Sequence, residues 1–156
     1  MQIEHSFLGT YLPYLLRRTD QALSAAFYRS LSERGIQGSE WRVLAVLHEG
    51  DEMTMREVTT TALSPQPTIS HAIARLVGRG LVERISSPDD GRVRLVRLTA
   101  AGQELSASLI DEAREHEQGL LSEAGIDDLG EVAAALGRLC TRLETPEILS
   151  ASKGPT

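Results

Sequence analysis

Two short stretches of this 156-residue chain hold side chains suited to gripping a polyanion. The first, 66–75, reads QPTISHAIAR and offers Gln66, Pro67, Thr68, Ser70, His71 and Arg75. The second, 87–99, reads SPDDGRVRLVRLT and sets Arg92, Arg94 and Arg97 at and after an Asp-Gly turn. A guanidinium holds phosphate oxygens or the O6/N7 edge of guanine through paired N–H groups, while amides and hydroxyls pair with base edges. This is recognition chemistry, not bond breaking. No catalytic constellation stands out, and His5, His48, His71 and His116 are scattered without paired metal spacing. The expectation is a protein that is no enzyme and holds neither metal nor cofactor.

The charge pattern points the same way. The formal net charge of −6 argues against an indiscriminate nucleic-acid binder. From Gln66 to Arg97, however, six arginines (75, 79, 84, 92, 94 and 97) stand against Glu83, Asp89 and Asp90, a local balance of +3 that leaves −9 for the rest. A basic island on an acidic body is the footprint of localised polyanion binding. No apolar run is long enough to span a bilayer and no signal-like leader opens the chain, so a cytoplasmic protein without a membrane partner is expected. The single Cys140 excludes an internal disulfide and suits a reducing compartment; beside Leu136, Leu139 and Leu143 it is expected to be a buried small hydrophobe.

The elements that must position these residues follow from periodicity and punctuation. Leu12, Leu15, Leu16, Leu23, Phe27 and Leu31 recur at helical spacing, which predicts one long helix over 7–34 ending at Gly35. Ser39 can cap a second helix closing at Gly50, and Thr54 a short third one through Ala62. Ser64-Pro65 offers a cap and an N-terminal proline for a fourth helix running to Arg79, with Gly80 ending it. In that helix Ile69, Ala72, Ile73, Leu76 and Val77 form one apolar stripe; Pro67, His71, Ala74 and Gly78 lie opposite, flanked by Thr68, Ser70 and Arg75. Leu81–Ile85 and Val93–Leu98 read as two strands around the Asp-Gly turn, where glycine accommodates positive φ. Thr99 then caps a helix over 100–123, and a last helix spans about 127–143. The fold class is mainly α with a small β-hairpin. A short helix, a turn, a second helix and a hairpin make a winged helix-turn-helix.

On these residues the chain resembles the MarR family of winged-helix transcriptional regulators. The matching anchors are Pro67-Thr68-Ile69-Ser70, Ile73, Leu76, Gly80-Leu81-Val82, Arg84, Asp90-Gly91-Arg92, Leu98-Thr99 and Gly102. His71 stands where an arginine is frequent in the family, and the Thr59-Thr60-Thr61 helix matches loosely. The resemblance implies an obligate homodimer, with N- and C-terminal dimerisation helices in 1–35 and 100–149 flanking a DNA-binding domain over 36–99. Residues 150–156 would be a flexible tail. It also implies that Arg92 enters the minor groove, steadied by Asp90. A guanidinium is drawn to the negative potential of a narrow groove. The expected contacts to double-stranded DNA are Gln66, Pro67, Thr68, Ser70, His71, Arg75, Asp90, Arg92 and Arg94.

Family members commonly bind small phenolic or anionic effectors between the dimer helices and the winged domain. Here Arg17 or Arg18 is the candidate anchor, with Tyr11 and Trp41 (and Tyr14 and Tyr28) as candidate walls; the competing reading leaves both arginines in solvent and the rings in the core or an interface. The redox branch of the family carries its sensing cysteine near the N-terminus, where this chain has none. The expected function is a ligand-responsive regulator, a repressor, on a pseudo-palindromic operator. The alternative is a winged-helix module for protein assembly, which needs neither Arg92 nor the basic island.

Overall fold

The computed structural model describes residues 6–126 and 129–144. The elements run α1 (Phe7–Thr10), α2 (Leu12–Glu33), α3 (Gly38–Gly50), β1 (Met53–Thr54), α4 (Met55–Thr61), α5 (Gln66–Gly78), β2 (Val82–Ser86), β3 (Arg94–Leu98), α6 (Ala100–Glu123) and α7 (Leu129–Glu144). Among the described residues no helix is long and apolar enough to cross a membrane.

The single helix expected over 7–34 is two. Tyr11 sits between them in extended backbone (φ −80°, ψ 105°), and Pro13 occupies the first turn of α2. Proline has no N–H to donate and its ring crowds the carbonyl four residues back, so α1 cannot run on through it. The end of α2 falls where expected. Gly35 takes φ +68°, its N–H donates to Ser32 and that of Ile36 to Leu31, closing the last turn.

Two caps differ from expectation. Gln37, not Ser39, precedes α3, and the Glu40 carboxylate accepts the Gln37 N–H at 2.7 Å. Pro65, not Ser64, caps α5, and Pro67 takes the first helical turn. Ser64 is turned inward, donating to the Ala62 carbonyl and accepting from Arg42. Thr54 caps α4 as expected, and Glu57 closes the reciprocal capping box. The Thr54 backbone N–H and then its hydroxyl hold the Glu57 carboxyl below its ordinary range.

The expected two-stranded hairpin is the larger part of a three-stranded antiparallel sheet in the order β1-β3-β2. Val82 pairs with Leu98 and Ser86 with Arg94, while Met53 pairs with Val96 on the other edge. Val96 and Leu98 point into the core and Leu95 and Arg97 away from it, the alternation a half-buried strand requires, while Arg94 begins the strand exposed. The core gathers Val43, Leu44 and Leu47 of α3, Val58 of α4, and Ile69, Ala72, Ile73 and Leu76 of α5 against Val82, Val96 and Leu98. Phe27 and Leu31 of α2 and Leu109 of α6 complete it, so segment 36–99 does not close its core alone. Val77 does not join the stripe assigned to it; it is 38% exposed.

The residues divide into two units, one up to His116 and one from Glu117. In the second, α7 carries Val132, Leu136, Leu139 and Leu143 along one side, as expected. Along that side Val132 is 44% and Leu143 52% exposed, and Leu136 and Leu139 are partly buried. Cys140 is exposed, not buried. The first two residues expected in this helix, 127–128, and the tail 150–156 lie outside the described residues.

The start of α6 shows why Leu98-Thr99 and Gly102 belong together. The Thr99 hydroxyl accepts the Gly102 N–H at 3.1 Å and donates to the Gly80 carbonyl at 2.7 Å, while its N–H donates to Leu81. The α6 backbone thereby comes so close to the strand entry that a Cβ on Gly102 would run into the Leu81 carbonyl oxygen. Gly102→Ala is expected to destabilise the protein by about 1–3 kcal/mol, the usual range for overpacking. Thermal melts would read this as a lower Tm, and an unchanged Tm would contradict the packing.

Candidate nucleic-acid interface

α5 turns its apolar stripe into the core, which fixes what it shows to solvent. Pro67, His71, Ala74 and Gly78, opposite the stripe, are all exposed, as are Gln66 and Thr68, while Ser70 is partly buried. An amide, hydroxyls, an imidazole and small apolar groups thus line a face narrow enough to enter a major groove.

Arg75 does not belong to that face. Its Nε lies 3.3 Å from Glu40 Oε1 and its Nη2 donates to Ser39 Oγ at 3.2 Å. Arg79, the cap residue of α5, reaches the same carboxylate at 3.8 Å and donates to the Gly35 carbonyl at 3.2 Å. Glu40 is only 2% exposed. The sequence offered no signal for this arrangement, because Glu40 lies 35 residues from Arg75 and reads locally as a first-turn acid of α3.

The wing is built from its own polar groups. Ser87 N–H donates to the Val93 carbonyl at 2.9 Å, and Val93 N–H to the Asp90 carbonyl at 2.9 Å. Asp90 Oδ1 accepts the backbone N–H of Arg92 at 2.9 Å, so it shapes the turn through the chain and not through the Arg92 guanidinium. Gly91 is not in the left-handed region; this Asx-type turn does not require it. Arg94 Nη1 donates to Ser86 Oγ at 2.7 Å across the hairpin.

The six arginines of the basic island therefore differ in availability. Arg75 and Arg79 are paired with Glu40, and Arg97 lies 2.7 Å from Glu83 and 2.9 Å from Glu52. Hydrogen bonds from Arg97 to Glu83, then to Glu52, raise its pKa above the ordinary value. Among the described residues Arg84, Arg92 and Arg94 enter no ion pair, and all three are exposed. Arg84, absent from the expected contacts, joins Arg92 and Arg94 as an unneutralised cation.

The candidate effector residues have varied surroundings. Tyr11 stacks on Phe7 with centroids 4.8 Å apart, Trp41 packs edge-on against Phe27 at 5.1 Å, and Arg17 and Arg18 are exposed on α2. A cavity of about 330 Å³ is lined by Ala26, Phe27, Ser30, Glu112, Glu115 and His116, a set that includes none of those four. Among its lining residues Ser30 donates to Glu112 at 2.6 Å, and His116 Nε2 lies 3.1 Å from the Leu23 carbonyl.

A MarR family model matches residues 34–93. The chain is 35% identical to the HTH-type transcriptional repressor IacR of Pseudomonas putida over 89 residues, which are 57% of this chain. The match spans only 53% of that repressor's length. The crystal structure of the MarR family transcriptional regulator SPO1453 from Silicibacter pomeroyi DSS-3 is similar at TM-score 0.77 and 35% identity, covering 89% of this chain and 99% of that one. NadR, solved in complex with 4-hydroxyphenylacetate, shares the fold at TM-score 0.72 and 23% identity over 83% of this chain and 92% of its own.

The wing geometry has a direct check. Asp90→Asn keeps a carbonyl acceptor for the Arg92 N–H and should preserve that amide's protection from hydrogen exchange. Asp90→Ala should lose protection by about 5- to 10-fold, matching a hydrogen bond worth about 1 kcal/mol. Equal protection in both variants would mean that the side chain does not hold the turn.

Proposed function

Since this chain belongs to the MarR family of transcriptional regulators, we propose that it is a ligand-responsive cytoplasmic repressor that binds a pseudo-palindromic operator as a homodimer. One observation carries the reading: an exposed polar face on α5 stands beside a hairpin whose Arg84, Arg92 and Arg94 enter no ion pair among the described residues. A module used only for protein assembly has no need to keep three cations unpaired on an otherwise acidic chain. Gln66, Pro67, Thr68, Ser70 and His71 contact the major groove, the helix N-terminus favours a phosphate, and Arg92 enters the adjacent minor groove. Asp90 shapes the tip that presents it, and Arg94 and Arg84 lie along the backbone. The partly exposed stripe of α7 recurs every three to four residues, the spacing of a helix that seats against a partner helix.

The effector is an aromatic or other anionic small molecule, in keeping with the aryl acid held by NadR. Arg17 and Arg18 are exposed in a single chain, so either becomes an anchor only where a second copy covers α2. Tyr11 and Trp41 are the apolar walls proposed for the same site. A ligand that favours a half-site spacing unlike the groove's lowers DNA affinity through coupling of about 1–3 kcal/mol.

Two experiments test this. On a duplex selected from a random-sequence pool, the wild type should bind as one dimer per duplex, and Arg92→Ala should weaken binding by about 1–3 kcal/mol with a shallower salt dependence. Wild-type affinity in the variant would refute the wing contact. With 4-hydroxyphenylacetate and related aryl acids as probes, one of Arg17→Ala and Arg18→Ala should retain DNA binding yet lose release. Normal release in both would place the anchor elsewhere.

A further inference from the structure

We infer that Glu40 withholds Arg75 and Arg79 from the major groove, so that α5 reads the major groove of its half-site without a guanidinium and selects A·T pairs beneath it. The inference rests on the DNA-binding reading above and concerns which groups of the reading helix meet the bases. Arginine is the usual reader of guanine, through a bidentate contact to O6 and N7. Here Arg75 and Arg79 both turn toward α3, one onto Glu40 and Ser39 and the other onto Glu40 and the Gly35 carbonyl. The carboxylate they share is 2% exposed, and its second oxygen is already engaged by the Gln37 N–H at 2.7 Å.

Drawing Arg75 to a base would leave a buried carboxylate without its nearest cation. Arg79, at 3.8 Å, would have to hold that carboxylate in its place, a weaker pairing set against what a guanine contact returns. Glu40 is thus a positioning residue that decides specificity by subtraction. What remains outward on α5 is Gln66, whose amide matches the N6/N7 edge of adenine, and Pro67, Thr68 and Ala74, whose carbon atoms suit a thymine methyl. His71 and the Thr68 hydroxyl supply further polar groups on that face.

The test selects duplexes from a random-sequence pool with the full-length wild type, Arg75→Ala, Glu40→Gln, and the Glu40→Gln/Arg75→Ala double variant. Glutamine keeps an acceptor for the Gln37 N–H but loses the charge that detains the arginines. Wild type and Arg75→Ala should select the same half-site, with A·T pairs beneath α5. Glu40→Gln should acquire a preference for guanine of at least about fivefold at one position per half-site, with a steeper salt dependence. The double variant should lose both changes, a reversal that a merely structural role for Glu40 does not produce. A wild-type half-site whose guanine preference disappears in Arg75→Ala would overturn the inference, as would a folded Glu40→Gln variant with unaltered preference. If Glu40→Gln does not fold, the comparison of wild type with Arg75→Ala decides alone. A wild type that enriches no duplex would refute the DNA-binding reading itself, whereas enriched duplexes with Arg75-dependent guanines would refute only the role given to Glu40.

Discussion

The arrangement of the reading helix depends on one buried carboxylate. Glu40 ties the start of α3, through Gln37, to the middle and the end of α5, through Arg75 and Arg79. Removing a carboxylate from water costs several kcal/mol even after relaxation. Apolar packing at the same place would supply comparable stability, so the pair is best understood by the geometry it imposes. Leucines and valines hold α3 and α5 at a distance but tolerate small slips along their axes. A carboxylate with donors on two helices does not. The apolar stripe sets which face of α5 meets solvent, and this register sets where along α3 that face stands.

Much of the fold was legible in the sequence because its signals are local. The apolar periodicity of α5, the glycines ending α2 and α5, and the Thr54 and Thr99 caps all fall where the residue types alone place them. The errors have a common physical origin. Ser39 and Ser64 are good capping residues, but each hydroxyl is engaged by an arginine of another helix, and Gln37 and Pro65 take the caps. β1 is only two residues long and exists because β3 offers it an edge. Cys140 lies on a stripe that a lone chain leaves partly open.

The same distinction governs the candidate interface. Counting charges located the basic island but gave all six arginines equal weight. Three of them are matched by Glu40, Glu52 or Glu83, of which only Glu83 lies inside the counted segment. Tertiary pairing therefore reduces a nominal six cations to three, all on the hairpin. Composition cannot anticipate that subtraction, because it depends on which helix faces meet. Asp90 was likewise legible as a partner of Arg92, but the atom it engages is the backbone N–H, which a pattern of side chains does not specify.

With three unpaired arginines in the basic island among the described residues, the hairpin of a single chain gains little from counterion release, which scales with the number of phosphates neutralised. The acidic remainder of the chain further weakens contact with arbitrary DNA. In the proposed dimer, useful affinity then comes from engaging two half-sites together, where the second contact benefits from a high effective concentration and is lost once the geometry forbids it. A protein built this way does not need its contacts dismantled to leave DNA. A change in the spacing between two intact reading helices is enough. Weak individual contacts and the proposed sensitivity to an effector would then be two consequences of the same economy of charge.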